Sequence, residues 1–144
     1  MKSSSKFVVA VHVLAGLAVV RLKNKDTSVS SQNIAWSVNT NPVVIRRLLG
    51  ALKRAGLVET ESGSGGGTRI GKSPDKITLS DVYEAVEEGS VFHYHYAAPN
   101  QECPVGRNIQ NALHGPLDLA EEVMKKELSK TTIKDVAEKI LVHM

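Results

Sequence analysis

Residues 30–69 read SSQNIAWSVNTNPVVIRRLLGALKRAGLVETESGSGGGTR, and this stretch decides how the rest of the chain is interpreted. Ser30 is a favourable cap for a short helix that we predict to end near Val38. Asn39-Thr40-Asn41 is typical of a turn, because asparagine tolerates bends and caps helices. Pro42 suits the first position of a new helix, where its missing N–H group costs nothing. The stretch therefore predicts two helices joined by a tight turn.

The second half of the same stretch has the pattern of a β-hairpin. Gly56 is a good left-handed cap for the second helix, which we predict over residues 43–55. Leu57, Val58 and Thr60 are typical of a strand, a glycine-rich run over residues 62–67 turns the chain, and residues 68–70 return it. Two short helices, a tight turn and a following hairpin describe a winged helix-turn-helix.

The second helix has two chemically different faces. At about 100° per residue, one narrow face is apolar and belongs in a core, and the opposite face is basic. An ordinary solvated helix usually mixes both charge signs, but this one has four basic residues and no acid on its outer side, which suits a phosphate-lined groove. The apolar face consists of Ile45, Leu48, Leu49 and Leu52, and the outer face carries Val43, Arg47, Gly50 and Arg54, with Arg46 and Lys53 at its edge.

The sequence resembles a known family of DNA-binding proteins over nearly its whole length. The resemblance rests on four runs: residues 41–49 (NPVVIRRLL), 55–58 (AGLV), 65–67 (GGG) and 77–86 (ITLSDVYEAV). Together they are similar to the Rrf2 family, bacterial winged-helix repressors of the IscR, NsrR and CymR type. Within it the chain looks most like the YwnA-like members, which hold no iron–sulfur cluster.

The resemblance implies a site on double-stranded DNA. In the family the second helix enters the major groove and the wing reaches the minor groove; the base-reading positions match Val43, Arg46 and Arg47 here. An arginine is common at the first turn of the wing, where this chain has Ser62, and Arg69 is the cation that would partly replace it. The predicted DNA-binding residues are Thr40, Asn41, Pro42, Val43, Arg46, Arg47, Arg54, Ser62, Gly65, Gly66, Gly67 and Arg69.

Composition and charge agree with a soluble regulator of ordinary kind. The 144 residues suffice for one domain with a core plus an extension. Residues 1–76 hold 12 Lys and Arg against 4 Asp and Glu, whereas residues 77–144 hold 6 against 11, so only the first half is expected to face a polyanion. A single cysteine fits the reducing cytoplasm. The apolar run 7–20 is shorter than the about 20 residues of a membrane span, and we expect no membrane partner.

The second half predicts a homodimer built on a long helix. We divide the chain into a winged domain (1–79), a helix and connecting loop (80–102), and a dimerisation helix with a final helix (103–144). The long helix, over residues 104–128, has an apolar stripe and a kink or break at Gly115-Pro116. Such a stripe after a complete small domain is best covered by its copy in a second chain. The final helix should return to the winged domain.

The first helix is predicted over residues 1–22. We expect it to be largely buried, with His12 as a hydrogen-bonded structural residue.

Cys103 is the chain's only thiol, so it limits the chemistry of the second half. Family members with a [2Fe–2S] cluster use three cysteines in this region, and one thiolate cannot hold a cluster that needs about four ligands. We therefore expect no cofactor. A metal held by His93, His95, Cys103 and His114 matches no standard spacing. Cys103 precedes Pro104, so the sulfur would lie at a helix N-terminus, where a thiolate is favoured. This makes Cys103 a candidate sensor; the alternative is a packing role.

Two other function classes stay open at this point. A Cys/His-dependent hydrolase would pair Cys103 with a histidine, but no spacing supports it, and we predict that the chain is not an enzyme. A winged-helix module that binds protein instead of DNA would keep the same fold. The sequence identifies neither a small effector nor a regulatory protein partner.

Overall fold

The computed structural model describes residues 3–24, 27–63 and 66–144 and is mainly helical with a small antiparallel sheet. This is the predicted fold class. The predicted start of the first helix at Met1 lies outside the described residues. In chain order the elements are α1 (Ser3–Asn24), α2 (Ser31–Val38), α3 (Pro42–Arg54), β1 (Val58–Glu61), β2 (Gly67–Ile70), a 3-10 turn (Pro74–Lys76), α4 (Leu79–Val86), α5 (Pro104–Leu128) and α6 (Ile133–Val142).

α1 is the centre of the core. Its middle residues, such as Leu14 and Ala18, are fully buried and contact α2, α3, α4 and α6. α1 is predicted to be largely buried, but this is wrong toward the two ends of the helix, where Val8 is 62% exposed and Leu22 is 49% exposed. Residues Ser5–Lys23 are long and apolar enough to cross a membrane by length and composition alone. A core helix passes the same test, and this one packs against four others.

The wing is a two-stranded hairpin that gains a third short pairing. β1 and β2 are antiparallel, with Val58 opposite Ile70 and Glu61 opposite Gly67. Val29, just before α2, pairs with Thr68 on the other edge of β2 through two hydrogen bonds of 2.8 Å. Because β2 is held on both sides, the base of the wing is fixed to the helix-turn-helix.

α4 begins and ends with clear local signals. Thr78 caps it: its hydroxyl accepts a hydrogen bond from the Asp81 N–H, and the Asp81 carboxylate accepts one from the Thr78 N–H. The sequence predicts that this helix ends at Gly89, but it ends three residues earlier, at Val86. The connection after it contains no strand over residues 91–101. Its aromatic residues are partly packed at best, since Tyr96 is fully exposed.

α5 runs without a break from Pro104 to Leu128, although Pro116 lies inside it. Of the predicted kink or break at Gly115-Pro116, the break does not occur. None of the helix's residues is buried within this chain. Val105, Leu119 and Val123 fall on one face at helical spacing, and each is at least 60% exposed. The helix therefore presents an apolar face that its own chain does not cover.

α6 returns to the winged part of the molecule, as predicted. The backbone of Ile133 donates to the Ile77 carbonyl at 2.8 Å, and Leu79 donates to the Thr131 carbonyl at 2.9 Å. Ile133 and Ala137 are fully buried and face α1. The apolar spacing of Ile133, Ala137 and Ile140 in the sequence predicts that all three are buried, but α6 touches the core along one narrow side and leaves Ile140 42% exposed.

We expect the docking of α6 to contribute strongly to stability. Ile133→Ala leaves a cavity in the core and should lower the free energy of unfolding by about 2–5 kcal/mol. Ile140→Ala is the matched control on the same helix and should cost clearly less. Urea unfolding followed by circular dichroism measures both. Equal losses for the two variants would mean that α6 is not part of the core.

Candidate nucleic-acid interface

The turn between α2 and α3 is built from three polar residues. Asn39 ends α2 in the left-handed conformation, with φ of 63°, which asparagine tolerates better than most residues. Its N–H donates to the Trp36 carbonyl at 3.2 Å, and Thr40 donates to the Ala35 carbonyl at 3.0 Å. The Asn41 Oδ1 accepts from the Val43 N–H at 2.8 Å and caps α3. These contacts fix the angle at which α3 leaves the turn.

α3 separates its apolar and basic residues as the sequence predicts. Its buried side chains are Ile45, Leu48, Leu49 and Leu52. The opposite face is solvent-exposed and carries Val43, Arg46, Arg47, Lys53 and Arg54. Within the described part of the chain, none of these four cations has an ion pair or a side-chain hydrogen bond. Their charges are therefore unneutralised and available to an anionic partner.

The tip of the wing depends on glycine for its shape. Gly63 has φ of 94°, a conformation that side chains rarely adopt. A Cβ on Gly66 would lie 2.3 Å from the Glu61 carbonyl oxygen, and one on Gly67 would lie 2.8 Å from the Val29 carbonyl oxygen. Ser62 is exposed between β1 and this turn. Gly65, also predicted as a DNA contact, lies outside the described residues.

Arg69 is already paired within the wing. Its Nε donates to Glu59 Oε2 at 3.2 Å, and its Nη1 donates to Glu61 Oε1 at 2.7 Å. The hydrogen bond to Glu61, followed by that to Glu59, raises the pKa of the Arg69 guanidinium above its usual value. Two carboxylates thus surround one cation, and the free wing offers no net positive charge at this position. This pairing was not predicted, because the hairpin register that brings the three side chains together is not evident from residue types.

A cleft of 420 Å³ separates the start of α2, the outer side of α3 and the wing. Sequence reasoning placed Arg46 beside this space but did not identify Gln32 or include Lys53 among the contacts, and both line the cleft. Trp36 on α2 is 83% exposed near the turn and was also missed. For Trp36, the signal in the sequence was its position close to the predicted turn; for Lys53, it was its position at the edge of the basic face of α3.

The second half of the chain does not provide a donor set for an iron–sulfur cluster. Cys103 is exposed and is the N-cap residue of α5, as predicted. It is the only thiol in the sequence, whereas a cluster takes about four ligands. Within residues 3–24, 27–63 and 66–144, no three His, Cys, Asp or Glu side chains come together as a metal site. His114 instead pairs with Asp118 at 3.2 Å. His12, on α1, bonds to the Ser37 hydroxyl at 2.9 Å but is exposed.

The fold and this surface define a winged helix-turn-helix DNA-binding protein. The sequence profile of the Rrf2 family, described as an iron-dependent transcriptional regulator, matches residues 3–139. The chain belongs to the Rrf2 family and is a DNA-binding transcriptional regulator.

Related proteins are similar to this chain over almost its full length. YwnA of Bacillus subtilis, provisionally named an HTH-type transcriptional regulator, is 38% identical over 92% of this chain and 95% of its own. A crystal structure of a provisionally described transcriptional regulator from Lactobacillus plantarum has a TM-score of 0.79 at 25% identity, covering 96% of this chain and 91% of that one. CymR, described as the global cysteine regulator of B. subtilis, shares the fold with a TM-score of 0.62 at 24% identity, covering 96% and 98%.

We expect the Asn41 cap to set the stability of the turn. Asn41→Ala removes the side-chain oxygen that accepts from Val43 and should cost about 0.5–2 kcal/mol of unfolding free energy. Asn41→Ser keeps a capping oxygen without adding charge and should retain most of the stability. Urea denaturation of the two variants beside the parent provides the comparison. Loss of equal size in both variants would show that capping is not the reason Asn41 matters.

Proposed function

We propose that the chain is a dimeric transcriptional repressor that inserts α3 into the major groove of its operator. The observation that supports this most directly is the two-sided character of α3. Its apolar face is held in the core, and its outer face carries four exposed cations without partners in the described residues. A groove lined by phosphates on both sides matches such a face. Val43, Arg46 and Arg47, near the start of α3, are the residues assigned to the bases.

The other predicted contacts take supporting roles in this proposal. Thr40, Asn41 and Pro42 form the turn that brings the chain to the DNA, and Arg54 contacts phosphate. At the wing, the backbone of Ser62, Gly66 and Gly67 approaches the minor groove, since residues without bulky side chains allow close approach. Arg69 contributes positive charge only if DNA displaces Glu59 and Glu61. We therefore assign Arg69 a smaller contribution to DNA-binding affinity than Arg47.

α5 supplies the dimer contact. Its face with Val105, Leu119 and Val123 is exposed in the single chain. Burying such a face against a second copy removes apolar area from water, and pairing related by two-fold symmetry uses the same residues from both chains. A two-fold dimer places its recognition helices about 34 Å apart, or a multiple of that spacing, on a near-palindromic operator.

The remaining assignments follow from the relatives and from residue types. We infer a cytoplasmic protein without catalysis, because its relatives are named as regulators, and without an iron–sulfur cluster, because Cys103 is its only thiol. Cys103 is exposed at the start of the dimer helix, where oxidation would disturb the dimer geometry. This sensor role is tested by operator binding before and after peroxide in the parent and in Cys103→Ser. Equal affinity under all four conditions would leave Cys103 without a sensing role.

Removing the two arginines should weaken operator binding strongly. For DNA recovered by binding selection and sequencing, each base-reading arginine should contribute about 1–3 kcal/mol. Arg46→Ala plus Arg47→Ala should therefore lower affinity by well over tenfold. Parent binding should also fall steeply as salt rises, because phosphate contacts release counterions. Fluorescence anisotropy at several salt concentrations measures both effects.

The control for this experiment keeps the same change of net charge. Lys134→Ala plus Lys139→Ala removes two exposed cations from α6, far along the chain from the proposed interface. Its operator affinity should stay near that of the parent. Unchanged affinity in the Arg46 and Arg47 variant would show that α3 is not in the groove. Absence of any salt-dependent DNA binding by the parent would favour the protein-binding alternative.

The dimer should depend on the exposed face of α5. Val123→Glu would place a carboxylate in the centre of an apolar contact, and burying an unpaired charge is costly. We expect sedimentation at micromolar concentration to show a dimer for the parent and a monomer for this variant, with weakened operator binding. Val142→Glu is the matched control, because Val142 is 79% exposed on α6. A monomeric parent, or a dimer that survives Val123→Glu, would contradict the assignment of α5.

A further inference from the structure

A second cavity lies between α1, α4, α5 and the segment that follows α4. Its volume is 500 Å³, within the about 300–1,000 Å³ typical of small-molecule sites. Three helices and the segment after α4 contribute to its wall. Its apolar wall includes Phe7 and Val8 of α1, Tyr83 of α4, and Met124 and Leu128 of α5, and its other titratable side chains are Glu87 and His93 from the segment after α4.

The wall is mostly apolar and includes an aromatic corner. Phe7 and Tyr83 meet edge to face, with ring centroids 5.9 Å apart. Burial, followed by the nearby charges of Glu121 and Glu87, raises the pKa of the Tyr83 hydroxyl, so this group stays neutral. Aromatic rings and a thioether suit an apolar body, and aromatic faces also attract cations.

Glu87 gives this wall a negative charge that the protein leaves unbalanced. Its backbone is fixed, since the N–H donates to the Tyr83 carbonyl at 2.9 Å and ends α4. Its Oε1 is shielded from solvent and has no hydrogen-bond partner among the described residues. A buried oxygen without a donor is rare in folded proteins, because the lost hydration is not replaced.

Two charged side chains near Glu87, those of Lys125 and Glu121, form hydrogen bonds with other groups of the chain. The ammonium of Lys125 donates to Glu84 at 2.8 Å and lies 5.8 Å from the centre of the Tyr83 ring. Glu121 accepts from the Val91 N–H at 2.7 Å and holds the segment after α4 against α5. In the described part of the chain, Glu87 is thus the carboxylate of this cluster with a solvent-shielded oxygen that has no hydrogen-bond donor.

We propose that this cavity binds a small organic cation, namely a primary amine carried on an aromatic or alkyl body. The amine would donate to the Glu87 carboxylate through Oε2, since Oε1 is shielded from solvent, and the body would fill the space between Phe7, Tyr83 and Met124. A charge-assisted hydrogen bond of this kind is stronger than a neutral one. The apolar wall accounts for the affinity of the body, and Glu87 accounts for the selectivity for a cation.

The position of the cavity connects the ligand to DNA binding, and this part rests on the function proposed above. α1 is the core helix of the winged part, and α5 is the proposed dimer helix. A ligand held between them favours one arrangement of the two helices over others. Because the spacing of the two recognition helices depends on that arrangement, occupancy of the cavity changes operator affinity.

The binding site is tested without DNA, on the full-length protein at a concentration where it is fully assembled. Three probes of similar shape are 4-phenylbutylamine, 4-phenyl-1-butanol and 4-phenylbutyrate, which differ in charge. Amide chemical shifts in nuclear magnetic resonance titrations give both the location and the dissociation constant. We expect shifts at Val8, Glu87 and Met124, and the amine should bind at least about tenfold more tightly than the alcohol.

Two variants with the same change of charge identify the carboxylate. Glu87→Gln should reduce amine affinity by about tenfold and leave alcohol affinity unchanged. Glu88→Gln, at the exposed neighbouring position, should change neither. Equal binding of amine and alcohol, equal effects of the two variants, or no binding of the amine to the assembled protein would overturn the proposal. The last result would assign the cavity to side chains of the second chain.

The regulatory part is tested separately by operator binding with saturating 4-phenylbutylamine. Operator affinity should change in the parent, and about tenfold more amine should be needed for the same change in Glu87→Gln. If the amine binds but operator affinity is unchanged, the link to DNA fails and the binding site stands. If the parent binds no DNA at all, the proposed function fails, and the titration of the cavity still decides whether the amine binds.

Discussion

The burial of one side of α3 is the constraint on which the DNA-binding surface depends. Ile45, Leu48, Leu49 and Leu52 pack against the neighbouring helices, and burying four such side chains is worth several kcal/mol. A helix held by one face has no freedom to rotate about its axis. The arginines on the opposite face must therefore point outward, although their exposure contributes nothing to folding. The core in this way sets the direction of the residues that we propose to read DNA.

Local signals made the fold largely predictable. Ser30, Asn41, Pro42 and Gly56 each mark the end or start of an element, and the periodicity of α3 separates its faces. Thr78 and Thr132 both form reciprocal caps with an aspartate three residues later. All of these depend on residues within one or two helical turns, so they can be recognised without knowledge of the tertiary structure.

The features that sequence reasoning missed all arise from distant residues. Arg69 meets Glu59 and Glu61 only because the hairpin has a particular register, and Glu87 faces a cavity only because α1, α4 and α5 meet there. The exposure of Leu119 is a smaller feature that the sequence also did not predict. Leu119 lies with Val105 and Val123 on the exposed face, whereas Met124 and Leu128 turn toward the chain's own cavity. The apolar stripe predicted for α5 does not include Leu119; it consists of Val105, Ile109, Ala112, Leu113, Leu117, Ala120, Val123, Met124 and Leu128.

The contact between α1 and α6 has a consequence for how the molecule is made. The first and last helices of the chain pack together, and Ile133 fills a fully buried position in the core. On the ribosome, α2, α3 and the wing emerge early and have most of their local partners. α1 has apolar surface that stays uncovered until α6 has been synthesised. Contacts of such long sequence separation close late and slowly. The core of the DNA-binding half is therefore finished only after residues 133–142 have emerged, so translation products that stop before them lack a finished core.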